Sequence, residues 1–183
     1  GIAYARNRGA QEAQGKFIAY IDDDALPAEQ WLGTILDSFK LNDPKLACVV
    51  GKVELRWELE KPKWFPEKYE ALLGKYDFGN EPRYLDENDY LLTMNAAFDR
   101  ETFINIGSFK PYLGRKGKCL LSGEDNEMYD RLYNSGLKIY YNPKQLISHL
   151  VSKERLSAAW LTKRFFWEGA TQVLLDQEGK VFL

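Results

Sequence analysis

The sequence contains little cysteine and histidine and no long apolar runs, and each shortage excludes a kind of structure or metal site. Its 183 residues contain two cysteines and one histidine. Two cysteines are too few for a disulfide framework, and Cys48 lies in an apolar stretch, so we expect a reduced, cytoplasmic interior. A single histidine, His149, excludes a zinc site built from several histidines. No apolar segment approaches the ~20 residues that a membrane-spanning helix requires.

An excess of charge of either sign is also lacking. The net charge is −2, and 25 basic residues are interspersed with 27 acidic ones. No basic field is present, so we expect no nucleic-acid partner. The 45% hydrophobic content excludes disorder as a description of the whole chain, and the length suits one domain over residues 1–183. The first residue is Gly1 rather than Met, in a stretch typical of the middle of an element. We therefore expect a piece of a longer protein.

Helical and strand patterns alternate along the chain, which predicts an α/β fold. Residues 56–89 interrupt the alternation with three prolines and many charges. They are interpreted as an insertion with one short helix near Glu67 to Leu73, either a lid or an exposed loop stapled by aromatic residues. The predicted helices are Ala3 to Gln14, Ala28 to Leu41, Arg100 to Ile106, Ser122 to Ser135, and Lys153 to Leu175 with an interruption at Gly169. The predicted strands are Phe17 to Ile21, Leu46 to Leu55, Leu91 to Phe98 and Leu137 to Tyr141.

The acid triplet Asp22-Asp23-Asp24 directly follows the short apolar run from Phe17 to Ile21. That run is too short for a helix and predicts a buried strand. Three adjacent carboxylates repel one another and are costly to desolvate, but a divalent cation among them compensates. Ligands of open α/β sheets bind beside the carboxyl ends of strands. The triplet is therefore a candidate metal-dependent site, with a solvated turn or a helix N-cap cluster as the alternative.

Three further features carry candidate chemistry. Glu124 and Asp125 begin a predicted helix, where the dipole alone stabilises acids by ~0.3–1 kcal/mol, but either could also act as a general base. His149 is either structural or the single imidazole in a mixed shell around Mn²⁺. The basic loop from Gly114 to Lys118 lacks the spacing of a phosphate-binding loop. A mobile, solvated loop is favoured there, and closure over a diphosphate is the alternative.

Taken in order, these motifs resemble those of the family 2 glycosyltransferases, which have a GT-A fold. The resemblance spans about residues 1 to 170. It is carried by Ala5-Arg6-Asn7 with Gly9, by the strand into Asp22-Asp23-Asp24 as the family's DxD motif, by Asn95 to Glu101, by Gly123-Glu124-Asp125 as its catalytic helix start, and by Tyr141-x-Pro143 followed by His149.

The resemblance implies a mixed, mostly parallel sheet flanked by helices, and inverting transfer of a sugar to an acceptor hydroxyl. The donor is a nucleotide-diphospho-sugar, with a UDP-sugar favoured, the cofactor is Mn²⁺ or Mg²⁺, and the acceptor is a carbohydrate or is lipid-linked. Surface polysaccharide or glycoconjugate synthesis is the implied setting. The implied roles are Asp125 as catalytic base with Glu124 orienting substrate, Asp22, Asp23, Arg6 and Asn95 as donor-binding residues, and Asp24 and His149 as metal ligands. Arg6 has a second interpretation, as a residue of the helix surface.

Two departures from the family qualify this prediction. The family's first βα units, which hold the nucleotide base, are expected before Gly1. Residues 1–183 are therefore expected to be the C-terminal two-thirds of the domain and to bind donor poorly or not at all on their own. The Gln-x-x-Arg-Trp motif of processive members is absent, which favours a non-processive enzyme. Alternatives are a non-catalytic carbohydrate-binding or scaffold domain and a metal-dependent nucleotidyltransferase. Part of the last helix, which carries several aromatic residues, is expected to cover the sheet or the missing N-terminal part, with a partner or the inner face of the membrane as the alternative.

Overall fold

The computed structural model describes residues 1–177, in which a six-stranded sheet is flanked by helices. The helices are α1 (Ile2–Glu12), α2 (Trp31–Phe39), α3 (Arg100–Ile106), α4 (Glu124–Asn134) and α5 (Ala158–Gln177). The strands are β1 (Phe17–Ile21), β2 (Ala25–Pro27), β3 (Leu46–Trp57), β4 (Arg83–Tyr84), β5 (Asn95–Asp99) and β6 (Lys138–Val151). Short 3-10 helices cover Glu67–Leu73, Pro111–Leu113 and Lys153–Arg155.

The sheet is mixed, as predicted, but it is not mostly parallel. Its order is β1-β5-β3-β6-β2, and β4 also pairs with β6. Among residues 1–177, β3 and β6 form the one parallel pair, and the other four pairings are antiparallel. The prediction of a buried first strand is also wrong within the described residues. β1 is an edge strand in which Ile18 alone is buried.

β6 is far longer than predicted because its proline falls at an irregularity in the ladder. Pairing with β3 shifts register between Gly51 and Val53, and Pro143 lies in the matching stretch of β6. A proline is tolerated there because its missing N–H removes no ladder hydrogen bond. Gly51 permits the close approach, since a Cβ at this position would lie 1.8 Å from the carbonyl oxygen of Gln145. β6 therefore continues past His149 to Val151.

The insertion packs against the sheet rather than extending into solvent. Tyr76 is 1% exposed, bridges to Val53, and donates its hydroxyl to the Tyr90 carbonyl at 2.6 Å. Its ring packs edge-on against Phe78 and Tyr141. Aromatic packing of this kind adds about 0.5–1.5 kcal/mol per pair beyond the buried area. The interpretation as an exposed loop is therefore wrong for this part of the insertion.

The last helix, α5, runs through Gly169 without the predicted interruption. Its first turns cover the insertion, because Trp160 and Leu161 pack with Phe65 and Leu73. Its later turns pack Leu175 against the start of α4. In the part of the chain that the structure describes, no helix is long and apolar enough to cross a membrane.

Candidate active site

The predicted acidic residues converge on one cavity of about 1010 Å³. The convergence follows from the fold, since the turn after β1, the start of α4 and the end of β6 meet beside α1. Seven residues singled out from the sequence line the cavity: Arg6, Asp22, Asp23, Asp24, Glu124, Asp125 and His149. Large concave sites with convergent polar groups are the usual location of binding and catalysis.

Arg6 joins the two acidic motifs. Its Nη2 lies 3.2 Å from Asp22 Oδ1, and its Nη1 lies 3.1 Å from Asp125 Oδ1 and 3.4 Å from Glu124 Oε1. α1 buries the small residues Ala3 and Ala10 on the same face, which brings Arg6 against the cavity wall with its side chain 9% exposed. The interpretation of Arg6 as a surface residue is therefore wrong.

Besides Arg6, Asp125 is held by Thr93, a residue that the sequence did not indicate as part of the site. The Thr93 backbone N–H donates to Asp125 Oδ2 at 2.9 Å, and the Thr93 hydroxyl contacts Asp125 Oδ1. Thr93 is fully buried and precedes β5, with no local motif that distinguishes it from a core residue. These contacts and Arg6 orient the carboxylate before any substrate is bound.

Glu124 differs from its neighbour because it is deeply buried and only partly paired. Its side chain is 5% exposed, and Oε2 has no hydrogen-bond partner within residues 1–177. Burial, and then repulsion by Asp125, raise the pKa of Glu124 from 4.5 to about 7, although Arg6 and Arg115 act in the opposite direction. Near neutral pH this carboxyl group therefore exists in both forms, so it can donate or accept a hydrogen bond.

Asp24 belongs to a second cluster, formed with His149 and Arg155 beside the end of β6. β2 pairs antiparallel with β6, which puts Ala25 opposite His149 and brings Asp24 Oδ2 to 3.3 Å from His149 Nε2. Arg155 contacts both, with Nη2 3.3 Å from Asp24 Oδ2 and Nη1 3.2 Å from His149 Nε2. Burial lowers the pKa of His149 against the opposing effect of Asp24, which favours a neutral ring whose Nε2 accepts from Arg155.

Comparison with known proteins shows which family this sequence belongs to. The family model described as Glycosyl transferase family 2 matches residues 1–112. The chain belongs to glycosyltransferase family 2. It is 31% identical, over 96% of its length and 56% of the relative's, to the glucosyl-dolichyl phosphate glucuronosyltransferase of Haloferax volcanii. It is 28% identical, over 93% of its length and 51% of the relative's, to the succinoglycan biosynthesis protein ExoM of Rhizobium meliloti.

A solved structure shows the same fold. The crystal structure of GalNAc-T7 with UDP, GalNAc and Mn²⁺ superposes with a TM-score of 0.59 at 19% sequence identity, covering 82% of this chain and 30% of that one. This confirms the predicted GT-A class for the glycosyltransferase family 2 chain. The chain spans about half the length of the curated relatives described above, 56% and 51% of each.

Asp24 and His149 place two ligand atoms at a spacing that suits a divalent cation, provided that the cation displaces the guanidinium of Arg155 that contacts both. The ligand atoms of Asp24 and His149 lie 3.3 Å apart, and adjacent ligands of a cation bound at about 2.1 Å are separated by about 3 Å. The guanidinium of Arg155 already contributes positive charge at these two atoms. Within residues 1–177 no group of three or more metal-ligating side chains occurs. A cation here would take its remaining ligands from substrate phosphate and water, as Mg²⁺ usually does in proteins.

Asn95 does not line the cavity, which corrects its predicted donor contact. It is fully buried, and its Nδ2 donates to the carbonyls of Lys52 at 2.9 Å and Gln145 at 2.7 Å. Its Oδ1 accepts from Trp31 Nε1 at 2.7 Å. Asn95 therefore ties β3, β5 and β6 together beneath the site, and its amide has no donor or acceptor directed at a ligand.

The structure adds residues to the cavity wall that the sequence did not single out for the site. Arg155 and Arg164 both line it. Arg115 lines it as well, but it lies in the basic loop that the sequence had already indicated as a candidate. Arg155 lies in the 3-10 helix just beyond β6. Arg164 lies on α5, so its position at the site depends on how α5 packs. Asp23, in contrast, is exposed in the turn between β1 and β2.

Glu124 should make the stability of the protein depend on pH. Because its folded pKa is raised above 4.5, its contribution is fully present below that value and is lost as pH rises through about 7. Between pH 4.5 and pH 8.5 we expect the wild type to lose on the order of 2–3 kcal/mol of unfolding free energy that a Glu124→Gln variant does not lose. Urea unfolding at both pH values measures this, with Glu101→Gln, an exposed glutamate on α3, as control. Equal losses in wild type and Glu124→Gln would contradict it.

Proposed function

We propose that this chain supplies the catalytic part of an inverting, metal-dependent glycosyltransferase. Its donor would be a nucleotide-diphospho-sugar, with UDP favoured, and its acceptor a hydroxyl of a carbohydrate or lipid-linked glycan. The observation that supports this most is the single cavity in which Arg6 joins Asp22 to Asp125 while Asp24 contacts His149. The names of the relatives, a glucuronosyltransferase and a succinoglycan biosynthesis protein, support sugar transfer to glycans.

In this proposal Asp125 is the general base. The acceptor hydroxyl oxygen attacks the anomeric carbon, its proton passes to the Asp125 carboxylate, and the bond from that carbon to the diphosphate oxygen breaks. One displacement of this kind inverts the configuration. The contacts from Thr93 and Arg6 fix the orientation of the base, and a positioned base contributes about 10²–10⁴-fold to rate. Glu124, with its unpaired Oε2, orients the acceptor or the donor.

The donor side is assigned to the acid triplet. Asp22, held by Arg6, contacts the ribose or the sugar, and Asp23 is a further donor contact. Asp24 and His149 hold Mn²⁺ or Mg²⁺, which when bound neutralises negative charge on the departing diphosphate. A non-catalytic carbohydrate-binding domain would not need a carboxylate that is oriented by Thr93 and Arg6, so the contacts of Asp125 favour an enzyme.

Metal dependence is tested by binding and turnover in the full-length protein. With a panel of UDP-sugars, nucleotide release should proceed with Mn²⁺ and fall by about 100-fold or more in excess EDTA. Asp24→Asn should weaken Mn²⁺ binding, followed by electron paramagnetic resonance without substrate, by at least about 10-fold. Glu29→Gln, which removes an exposed carboxylate from the loop after β2, is the matched control. Full activity in EDTA would remove the metal from the proposal.

A further inference from the structure

Arg164 is a buried cation in the cavity wall that the proposed function does not use. It is 6% exposed, although it lies on the long helix α5. Its Nη2 donates to Ser122 Oγ at 2.8 Å and lies 2.6 Å from Glu168 Oε2. Its Nε and Nη1 are buried without a hydrogen-bond partner anywhere in residues 1–177. Buried donors without partners carry the full cost of desolvation, and an anionic ligand would remove that cost.

The position of Arg164 separates it from the predicted metal ligands. Ser122, which accepts from Arg164, lies two residues before Glu124, so Arg164 belongs to the end of the cavity that holds Glu124 and Asp125. The cluster of Asp24 and His149 has its own guanidinium, that of Arg155. The two arginines therefore serve different ends of one cavity.

Positive charge at the cavity extends beyond these two residues. Arg115, from the basic loop, also lines the cavity. Its side chain is exposed, and its pKa is lowered by partial desolvation and then by the positive charge of Arg164 and Arg155, against the opposing effect of Glu124 and Asp22. Arg115 therefore adds positive charge within electrostatic range of Arg164.

We propose that Arg164 binds an anionic group of the substrate at the end of the cavity that holds Glu124 and Asp125. This rests on the proposed function and specifies its substrate class. The group is either a carboxylate on the transferred sugar or a phosphate that links the acceptor sugar to a lipid. Both provide acceptor oxygens for charge-assisted hydrogen bonds to Nε and Nη1. A neutral oxygen there could accept from these two nitrogens, but it would lack the charge that makes such hydrogen bonds about twice as strong.

Matched ligand pairs identify the source of the anion in the full-length protein with Mn²⁺. UDP-glucuronate is compared with UDP-glucose, and a farnesyl phosphate-linked glucoside is compared with the plain farnesyl glucoside, by calorimetry. We expect the wild type to favour the charged member of one pair by about 10- to 100-fold. Arg164→Gln should abolish that preference while leaving the affinity for UDP alone within about twofold. Lys163→Gln, which removes an exposed cation from the same helix, should preserve it.

Two outcomes would overturn the inference. One is a wild-type protein with no preference within either pair. The other is an Arg164→Gln variant that loses affinity equally for charged ligands, neutral ligands and UDP, which would place Arg164 in the diphosphate site or give it a purely structural role. Thermal unfolding checks that the variants fold, and Arg164→Lys, which keeps the charge with fewer donors, should retain part of the preference. Sugar transfer without the preference refutes this inference alone, whereas the preference without transfer refutes the proposed function.

Discussion

Replacing Asp125 with asparagine is expected to lower turnover by about 10²–10⁴-fold, since that is the usual contribution of a positioned general base. The amide has nearly the same shape, and its oxygen can still accept the hydrogen bond from the Thr93 N–H, which is 2.9 Å long in the wild type. Donor affinity should therefore change little. Initial rates of nucleotide release, measured beside donor dissociation constants, separate loss of the base from loss of binding.

The control for this variant is Asp37→Asn. It removes a carboxylate that is 72% exposed on α2, paired with Lys40 at the surface, and it should leave turnover unchanged. Normal turnover by Asp125→Asn would exclude Asp125 as the base. Glu124 would then be the next candidate, because its pKa of about 7 also suits proton transfer near neutral pH.

Replacing Arg6 with methionine should be the most destabilising single change at the site. The side chain of Arg6 is 9% exposed, and its guanidinium contacts three carboxylates, those of Asp22, Glu124 and Asp125. Removing one partner of a buried ionic cluster leaves uncompensated charge, which typically costs about 3–5 kcal/mol. The loss should shrink as pH falls through about 7, because protonation of Glu124 removes one of the uncompensated charges. Urea unfolding at pH 8 and at pH 5 measures both effects.

α1 also provides the matched control for this substitution. Arg8 is 74% exposed and pairs with Glu12 on the helix surface, so Arg8→Met should cost no more than about 0.5 kcal/mol. If Arg6→Met were as mild as Arg8→Met, the three carboxylates would not depend on Arg6 and the site would have to be organised by other groups.

Local sequence patterns were sufficient for most elements and for the acidic residues of the site. The strand Phe17–Ile21 and the helix Arg100–Ile106 were predicted with their observed bounds. Such predictions succeed because apolar periodicity and terminating residues act over a few neighbours. The prediction of β6 ended too early, before Pro143. The strand tolerates this proline because the ladder is irregular there and because Gly51 in another strand permits a close approach.

The sequence by itself determined the family's order of motifs, and with it the acid triplet, the Glu124-Asp125 pair and His149. Tertiary structure alone decided what each of these residues contacts. Arg6 is a buried cation that pairs with both acidic motifs, and Asn95 hydrogen-bonds neighbouring strands beneath the site. Arg155 and Arg164 line the cavity, although neither lies in a recognisable motif. The physical reason is that burial, pairing and pKa depend on groups distant in sequence, and only strand pairing and helix packing bring those groups together.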